Sequence, residues 1–123
     1  MPRVNGQPTE AEEQAALFQW AELAKGSKPQ LRLLYAVPNG GSRHRLEAAN
    51  LKRQGVKAGV PDICLAYPKG VYHGLYIELK VGKNKTSDKQ EEWLRNLKSA
   101  GYMTAVCYGF LQAKETIERY LEL

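Results

Sequence analysis

Three charged residues stand in two otherwise apolar segments near the middle of the chain. Asp62 follows a proline at the start of the run Ile-Cys-Leu-Ala, and Glu78 and Lys80 interrupt the run Leu-Tyr-Ile-Glu-Leu-Lys. Strands of this composition usually bury both faces, where a charge is costly unless it is paired or bound to a metal ion. The positions of these three residues therefore raise the hypothesis of a functional site built on two strands.

Side chains alternate between the two faces of a strand, so Tyr76, Glu78 and Lys80 are expected to share one face. The short connection 68–74 predicts antiparallel pairing of the two segments, which brings Asp62 to the same surface. Two converging carboxylates form an oxygen site of the kind that Mg²⁺ accepts. A neighbouring lysine can orient water or stabilise charge on a phosphate. The structural alternative is a Glu78–Lys80 pair on a solvent-facing strand edge.

The first helix contributes further acids. Thr9 and Glu12 have the spacing of a capping box at its start, and Gly26 ends it. Its predicted apolar stripe, followed backwards one turn at a time, reaches Glu13 and then Glu10. The residues of that stripe are Ala16, Leu17, Trp20, Leu23 and Ala24.

The remaining pattern predicts a mixed α/β sheet flanked by helices, with the order α-β-α-β-β-α-β-α. The βαβ crossover near the end makes the last two strands parallel neighbours. We expect a single domain over residues 1–123, with 1–8 as a flexible arm. The predicted elements after the first helix are a strand over 31–37, a helix over 45–55, strands over 62–67 and 75–81, a helix capped by Thr86 or Ser87, a strand over 102–109 and a closing helix.

Composition restricts the class of protein. The hydrophobic fraction of 43% indicates a packed globule. No apolar run approaches the roughly 18 residues of a membrane helix, and the N-terminus lacks a signal-peptide core. Two cysteines, Cys64 and Cys107, lie in predicted strands, so we expect them to be core residues of a protein in a reducing cytoplasm.

The net charge of +5 is concentrated in one window. Residues 42–57 contain five basic residues and a single acidic residue, Glu47. Such a window is either a solvated surface or a footprint for the phosphates of a nucleic acid. The five basic residues are Arg43, Arg45, Lys52, Arg53 and Lys57.

The segments around the charged residues have a specific resemblance. Pro61-Asp62 followed by Glu78-x-Lys80 resembles the PD-(D/E)xK nuclease motif. Over Thr9 to Gly109 the sequence is similar, in order and spacing, to the virus-type replication-repair nuclease (VRR-NUC) domain in its compact stand-alone phage form. The segments that carry the likeness are EEQAALFQW, VPNGGSRH, LKRQGVKAGVPDICL, YHGLYIELK and DKQEEWLRNLKSAGYMTAVCYG.

This resemblance implies a restriction-endonuclease-like core and hydrolysis of DNA phosphodiester bonds with Mg²⁺ or Mn²⁺. It implies that Asp62, Glu78 and the backbone carbonyl of Leu79 bind the metal ion, and that Lys80 serves the nucleophilic water. It also implies an acid from the first helix, directly or through water. Glu13 is the match to that position, with Glu10 as the alternative.

Further residues are predicted to support the site or bind DNA. Gln90, in the first turn of the helix after the catalytic strand, matches a glutamine of the family. Asn39 lies in a glycine-rich turn that can present N–H groups to a phosphate. His73, at a hairpin turn, is a weaker candidate for a DNA contact. The five basic residues are predicted to hold the DNA backbone without reading bases.

The resulting hypothesis is a structure-selective DNA endonuclease acting on branched or Holliday-junction-like DNA in replication, repair or recombination. Cutting two strands with one active site per chain implies a homodimer. Two alternatives remain: a non-catalytic DNA-binding module with a nuclease-like fold, and a sequence-specific restriction-type endonuclease. No membrane partner is expected.

Overall fold

The computed structural model describes residues 6–38 and 45–123, with side chains from residue 47 onward in the second range. It is a mixed α/β fold, as predicted: one four-stranded sheet with helices packed around it. A 3₁₀ helix, Pro29–Leu33, precedes the first strand. The α-helices are α1 (Glu10–Ala24), α2 (Arg45–Arg53), α3 (Asp88–Ser99) and α4 (Phe110–Leu121), and the strands are β1 (Leu34–Ala36), β2 (Ile63–Leu65), β3 (Leu75–Lys80) and β4 (Met103–Tyr108).

The strands lie in the spatial order β1-β2-β3-β4. Strands β2 and β3 pair antiparallel, with Ile63 opposite Ile77, which confirms the predicted hairpin. Strands β3 and β4 pair parallel, with Ile77 opposite Ala105, which confirms the predicted crossover. The charged end of β3 therefore lies beside the residue that precedes β2.

The predicted strand over 31–37 is too long. Pro29 instead begins a 3₁₀ helix whose Leu31 is buried, and β1 is limited to three residues. Proline fixes its own φ near the helical value and suits the first turn of a helix. The helical preference of Pro29 therefore outweighs the strand-like composition of residues 31–33.

One face of the sheet carries the hydrophobic core. Helices α1 and α4 pack there, with Leu17 and Ile117 fully buried against the apolar face of β3. The predicted stripe of α1 is wrong at Leu23, whose side chain is 87% exposed. Leu23 lies about 120° around the helix from Leu17, outside the narrow strip that α4 and the sheet cover.

The second, outer face of the sheet carries the alternate residues, including Glu78 and Lys80. Helix α3 contacts β4, and its Gln90 reaches Glu78 on this face. Both cysteines are free and buried. None of the helices in the described ranges has the length and apolar composition of a membrane span.

Candidate active site

Asp62 is hydrogen-bonded directly to β3, the strand that carries Glu78 and Lys80. Its Oδ2 accepts a hydrogen bond of 2.7 Å from the backbone N–H of Leu79. Since Ile63 lies opposite Ile77, the antiparallel register places Asp62 next to the charged end of β3. The structure thus brings Asp62 together with Glu78 and Lys80.

Glu78 is a buried carboxyl group with one satisfied oxygen. The residue is 1% exposed. Its Oε2 lies 3.5 Å from the Lys80 Nζ and accepts a hydrogen bond of 3.1 Å from the Gln90 amide. Its Oε1 is buried and has no hydrogen-bond partner among the described residues. A buried oxygen without a partner is costly, so this one marks a position where a ligand would be favourable.

The electrostatics of the site follow from this burial. Burial first, and then the charge of the neighbouring Asp62, raises the pKa of Glu78 to about 8, while Lys80 opposes the shift. The protein alone therefore holds a proton on this carboxyl at neutral pH. A divalent cation at the same place would oppose this shift, because it stabilises both carboxylates in their charged form.

Gln90 connects helix α3 to the site through both ends of its amide. Its Oε1 accepts from the backbone N–H of Ser87 at 2.8 Å, and the Ser87 hydroxyl accepts from the backbone N–H of Gln90 at 3.2 Å. This capping box settles the predicted cap in favour of Ser87 over Thr86. With the oxygen used by the cap, the Nε2 group is oriented toward Glu78.

A close backbone contact holds the loop before Asp62 against α3. Gly59 has φ +90°, and a Cβ at this position would lie 2.8 Å from the carbonyl carbon of Lys89. Only glycine fits both the conformation and the space. The contact fixes the Pro-Asp loop relative to the helix that carries Gln90. The sequence contains this glycine but does not indicate that it contacts α3.

The two acids of α1 have different surroundings. Burial and the charge of Asp62 raise the pKa of the half-buried Glu10, whose charge also acts on Glu78. Glu13 instead accepts a hydrogen bond of 3.2 Å from the N–H of Phe110, at the start of α4. Gly109, with φ +91°, leaves the space that the Glu13 carboxylate occupies. Glu10 is therefore the α1 acid whose charge reaches the carboxylate pair, and Glu13 caps α4.

The donor set fits a divalent ion only in part. Within the described ranges, no three His, Cys, Asp or Glu side chains are gathered closely enough to hold a metal ion by themselves. Asp62 and Glu78 form a pair, and the bare Oε1 of Glu78 is an available ligand. Mg²⁺ keeps several waters and is often bound by one or two carboxylates, so this pair with a backbone carbonyl suits it.

The predicted basic contacts to DNA are either exposed or outside the described residues. Asn39 and Arg43 lie outside them, as does the side chain of Arg45. Lys52, Arg53 and Lys57 are exposed, and Arg53 bonds to Asn50 on its own helix.

His73 lies at the opposite end of β3 from the site. Its ring packs edge-on against Tyr102 with a centroid distance of 5.8 Å. His73 precedes Glu78 by five positions, about 17 Å if the chain is extended throughout. This geometry favours a packing role for His73 over a contact near the carboxylates.

Comparison with known proteins agrees with this architecture. The family model of the VRR-NUC domain matches residues 8–111. A solved structure described as a VRR_NUC domain protein superimposes with a TM-score of 0.81 at 33% identity, covering 95% of this chain and 91% of that one. No curated protein matches the sequence. The chain belongs to the VRR-NUC domain family, a nuclease-type family.

Proposed function

We propose that this chain is a divalent-metal-dependent endonuclease that hydrolyses phosphodiester bonds in DNA. The observation that carries the proposal is the buried Glu78 carboxyl, with a bare oxygen beside Asp62 and Lys80. Burying such a group destabilises a fold, so its presence needs a functional reason. Membership of a nuclease-type family supplies one.

In this proposal, Asp62, Glu78 and the carbonyl of Leu79 hold Mg²⁺ or Mn²⁺. When bound, the ion would supply positive charge for the phosphate and lower the pKa of a coordinated water. Lys80 orients the attacking water or a phosphate oxygen with its ammonium group. Gln90 fixes the orientation of the Glu78 carboxyl by holding its Oε2.

The α1 acid of the site is proposed to be Glu10, acting through water. Glu13 is the residue matched by the family pattern, but its carboxylate is hydrogen-bonded to Phe110. The neighbouring residue, Gly109, donates a hydrogen bond of 2.9 Å from its backbone N–H to the carbonyl of Lys80. By holding this segment, Glu13 would position the end of β3.

The proposed substrate is branched or junction DNA, cut by a homodimer. The exposed Lys52, Arg53 and Lys57 support contacts to phosphates, which position a duplex without reading its sequence. One active site per chain supports a two-fold dimer when both strands are to be cut. The alternative, a DNA-binding module without catalysis, would bind the same DNA without cleaving it. Its Asp62→Ala variant would still bind the DNA.

The decisive experiment is cleavage of four-way junction, flap and linear duplex DNA in Mg²⁺, Mn²⁺ or EDTA. We expect products with metal and none in EDTA, and loss of cleavage in Glu78→Gln and Lys80→Ala. The matched controls are Glu118→Gln and Lys114→Ala, which alter an ion pair of 3.4 Å on α4. If the site variants cut as well as the controls, the site is wrongly assigned. If the parent binds DNA but cuts none of the substrates, the binding module is correct.

A further inference from the structure

A row of tyrosines lies on the outer face of the sheet beside the carboxylates. Tyr35 on β1 is opposite Cys64 on β2, and Cys64 is opposite Tyr76 on β3. The ring of Tyr102 packs edge-on against that of Tyr76, with centroids 5.3 Å apart. Tyr35, Tyr76 and Tyr102 are named here the aromatic row. Tyr76 is two residues from Glu78 on the same strand face, which is about 7 Å.

Tyr35 and Tyr76 flank Cys64 on the two neighbouring strands, and the electrostatics of their hydroxyl groups depend on its thiol. A side-chain hydrogen bond with Cys64, followed by burial, raises the pKa of the Tyr35 hydroxyl, and the pKa of Tyr76 is raised by burial and by the same thiol. Cys64 itself is only 3% exposed. The register thus places the buried thiol between the two tyrosines on the outer face of the sheet.

The row is not required by the hydrophobic core. The core cluster lies on the other face, and none of the three rings belongs to it. Tyr35 lies on the edge strand of the sheet and is 48% exposed. Tyr76 and Tyr102 are partly exposed, so the row forms a partly exposed aromatic surface beside the charged site, as binding surfaces often do.

Building on the proposed nuclease function, we propose that the aromatic row stacks an unpaired nucleobase of the DNA strand next to the phosphate that is cut. An exposed tyrosine ring such as that of Tyr35 offers a π-face, and every base has a π-face to match it. Stacking on a ring does not read the edges of a base, so the row selects unpaired bases without selecting their sequence. The net charge of +5 favours a nucleic acid over a neutral ligand.

The test compares two DNAs of the same sequence, one fully paired and one with a short internal gap. Binding is measured in EDTA by fluorescence anisotropy, with 2-aminopurine in the gap as a second reporter. We expect Tyr35→Leu to weaken gapped-DNA binding about 5- to 150-fold relative to paired DNA, the range for loss of one stacked base. We expect Tyr35→Phe, which keeps the ring, to retain both the affinity and the 2-aminopurine quenching.

The control is Leu33→Ala, which removes another exposed apolar side chain near β1 and should bind both DNAs like the parent. Circular dichroism checks that each variant is folded. Equal loss on the two DNAs, or no loss, would overturn the proposal. A change in oligomeric mass in Tyr35→Leu without a change in DNA preference would assign the row to a second copy of the chain. If the parent cleaves DNA but Tyr35→Leu binds gapped DNA as well as the parent does, only the stacking proposal is refuted. If loss of the ring weakens gapped-DNA binding but the parent cleaves no DNA, only the nuclease proposal is refuted.

Discussion

Replacing Glu78 by glutamine should make the metal-free protein more stable at neutral and alkaline pH. The carboxyl is buried, and its pKa rises from 4.5 to about 8 on folding. The folded state therefore binds a proton more tightly than the unfolded state, so stability falls as pH rises between these two values. Below pH 4.5 both states are protonated and the residue has no effect of this kind.

The size of the effect follows from the pKa difference. Each pKa unit corresponds to about 1.4 kcal/mol, so the penalty is on the order of 3 kcal/mol at pH 7 and 5 kcal/mol above pH 8. Glutamine keeps the size of the side chain but does not ionise. We expect the free energy of unfolding of Glu78→Gln to exceed that of the parent by an amount that grows by several kcal/mol from pH 5 to pH 8.

The assay is urea unfolding in EDTA at a series of pH values, followed by the fluorescence of Trp20 and Trp93. Glu118→Gln is the control, because that carboxyl is one-third exposed and paired with a lysine on α4. Mg²⁺ added at pH 8 should stabilise the parent more than Glu78→Gln, since the ion replaces the proton. A constant difference between parent and Glu78→Gln from pH 5 to pH 8 would refute the reasoning.

Three further substitutions test how the site is held. Gln90→Glu keeps a capping-box acceptor but replaces the amide donor with a second carboxyl beside the buried Glu78, so we expect at least a tenfold lower kcat in the DNA cleavage assay and a thermal midpoint that falls, relative to the parent, as the pH rises; a kcat equal to that of the parent would count against the role of the amide. Gly59→Ala should lower the free energy of unfolding by about 1–3 kcal/mol and reduce cleavage; Gly55→Ala, with φ +98° and open space around its Cβ, should lower it less, and equal losses would count against the close contact. Glu10→Gln should weaken Mg²⁺ affinity in isothermal titration, whereas Glu13→Gln should leave it near that of the parent; the reverse order would return the metal-site role to Glu13.

Much of the site's local framework could be predicted from short-range patterns. The alternation of side chains along β3 placed Glu78 and Lys80 on one face, and the short hairpin placed Asp62 beside them. The capping box of α1 was visible as Thr9 and Glu12. These features depend on the period of a strand, the length of a turn and the spacing of a cap, which are local properties of the chain.

Other features depended on how separate elements pack. The pattern on α1 could not decide between Glu10 and Glu13, because the rotation of the helix is set by its contacts with α4 and the sheet. The predicted burial of Leu23 failed for the same reason. The contact of Gly59 with Lys89 joins segments thirty residues apart, and no periodicity reports it.

The sequence by itself determined which strand bears the acid and the lysine, which face they share, and that the Pro-Asp segment pairs with that strand. Only the tertiary structure decided that Glu78 loses nearly all contact with water, that the amide of Gln90 reaches it, and that one of its oxygens has no hydrogen-bond partner in the described part of the chain. The physical reason is that desolvation and long-range hydrogen bonds arise from the combined positions of α1, α3 and the sheet. No single segment encodes those positions, although each segment encodes its own helix or strand.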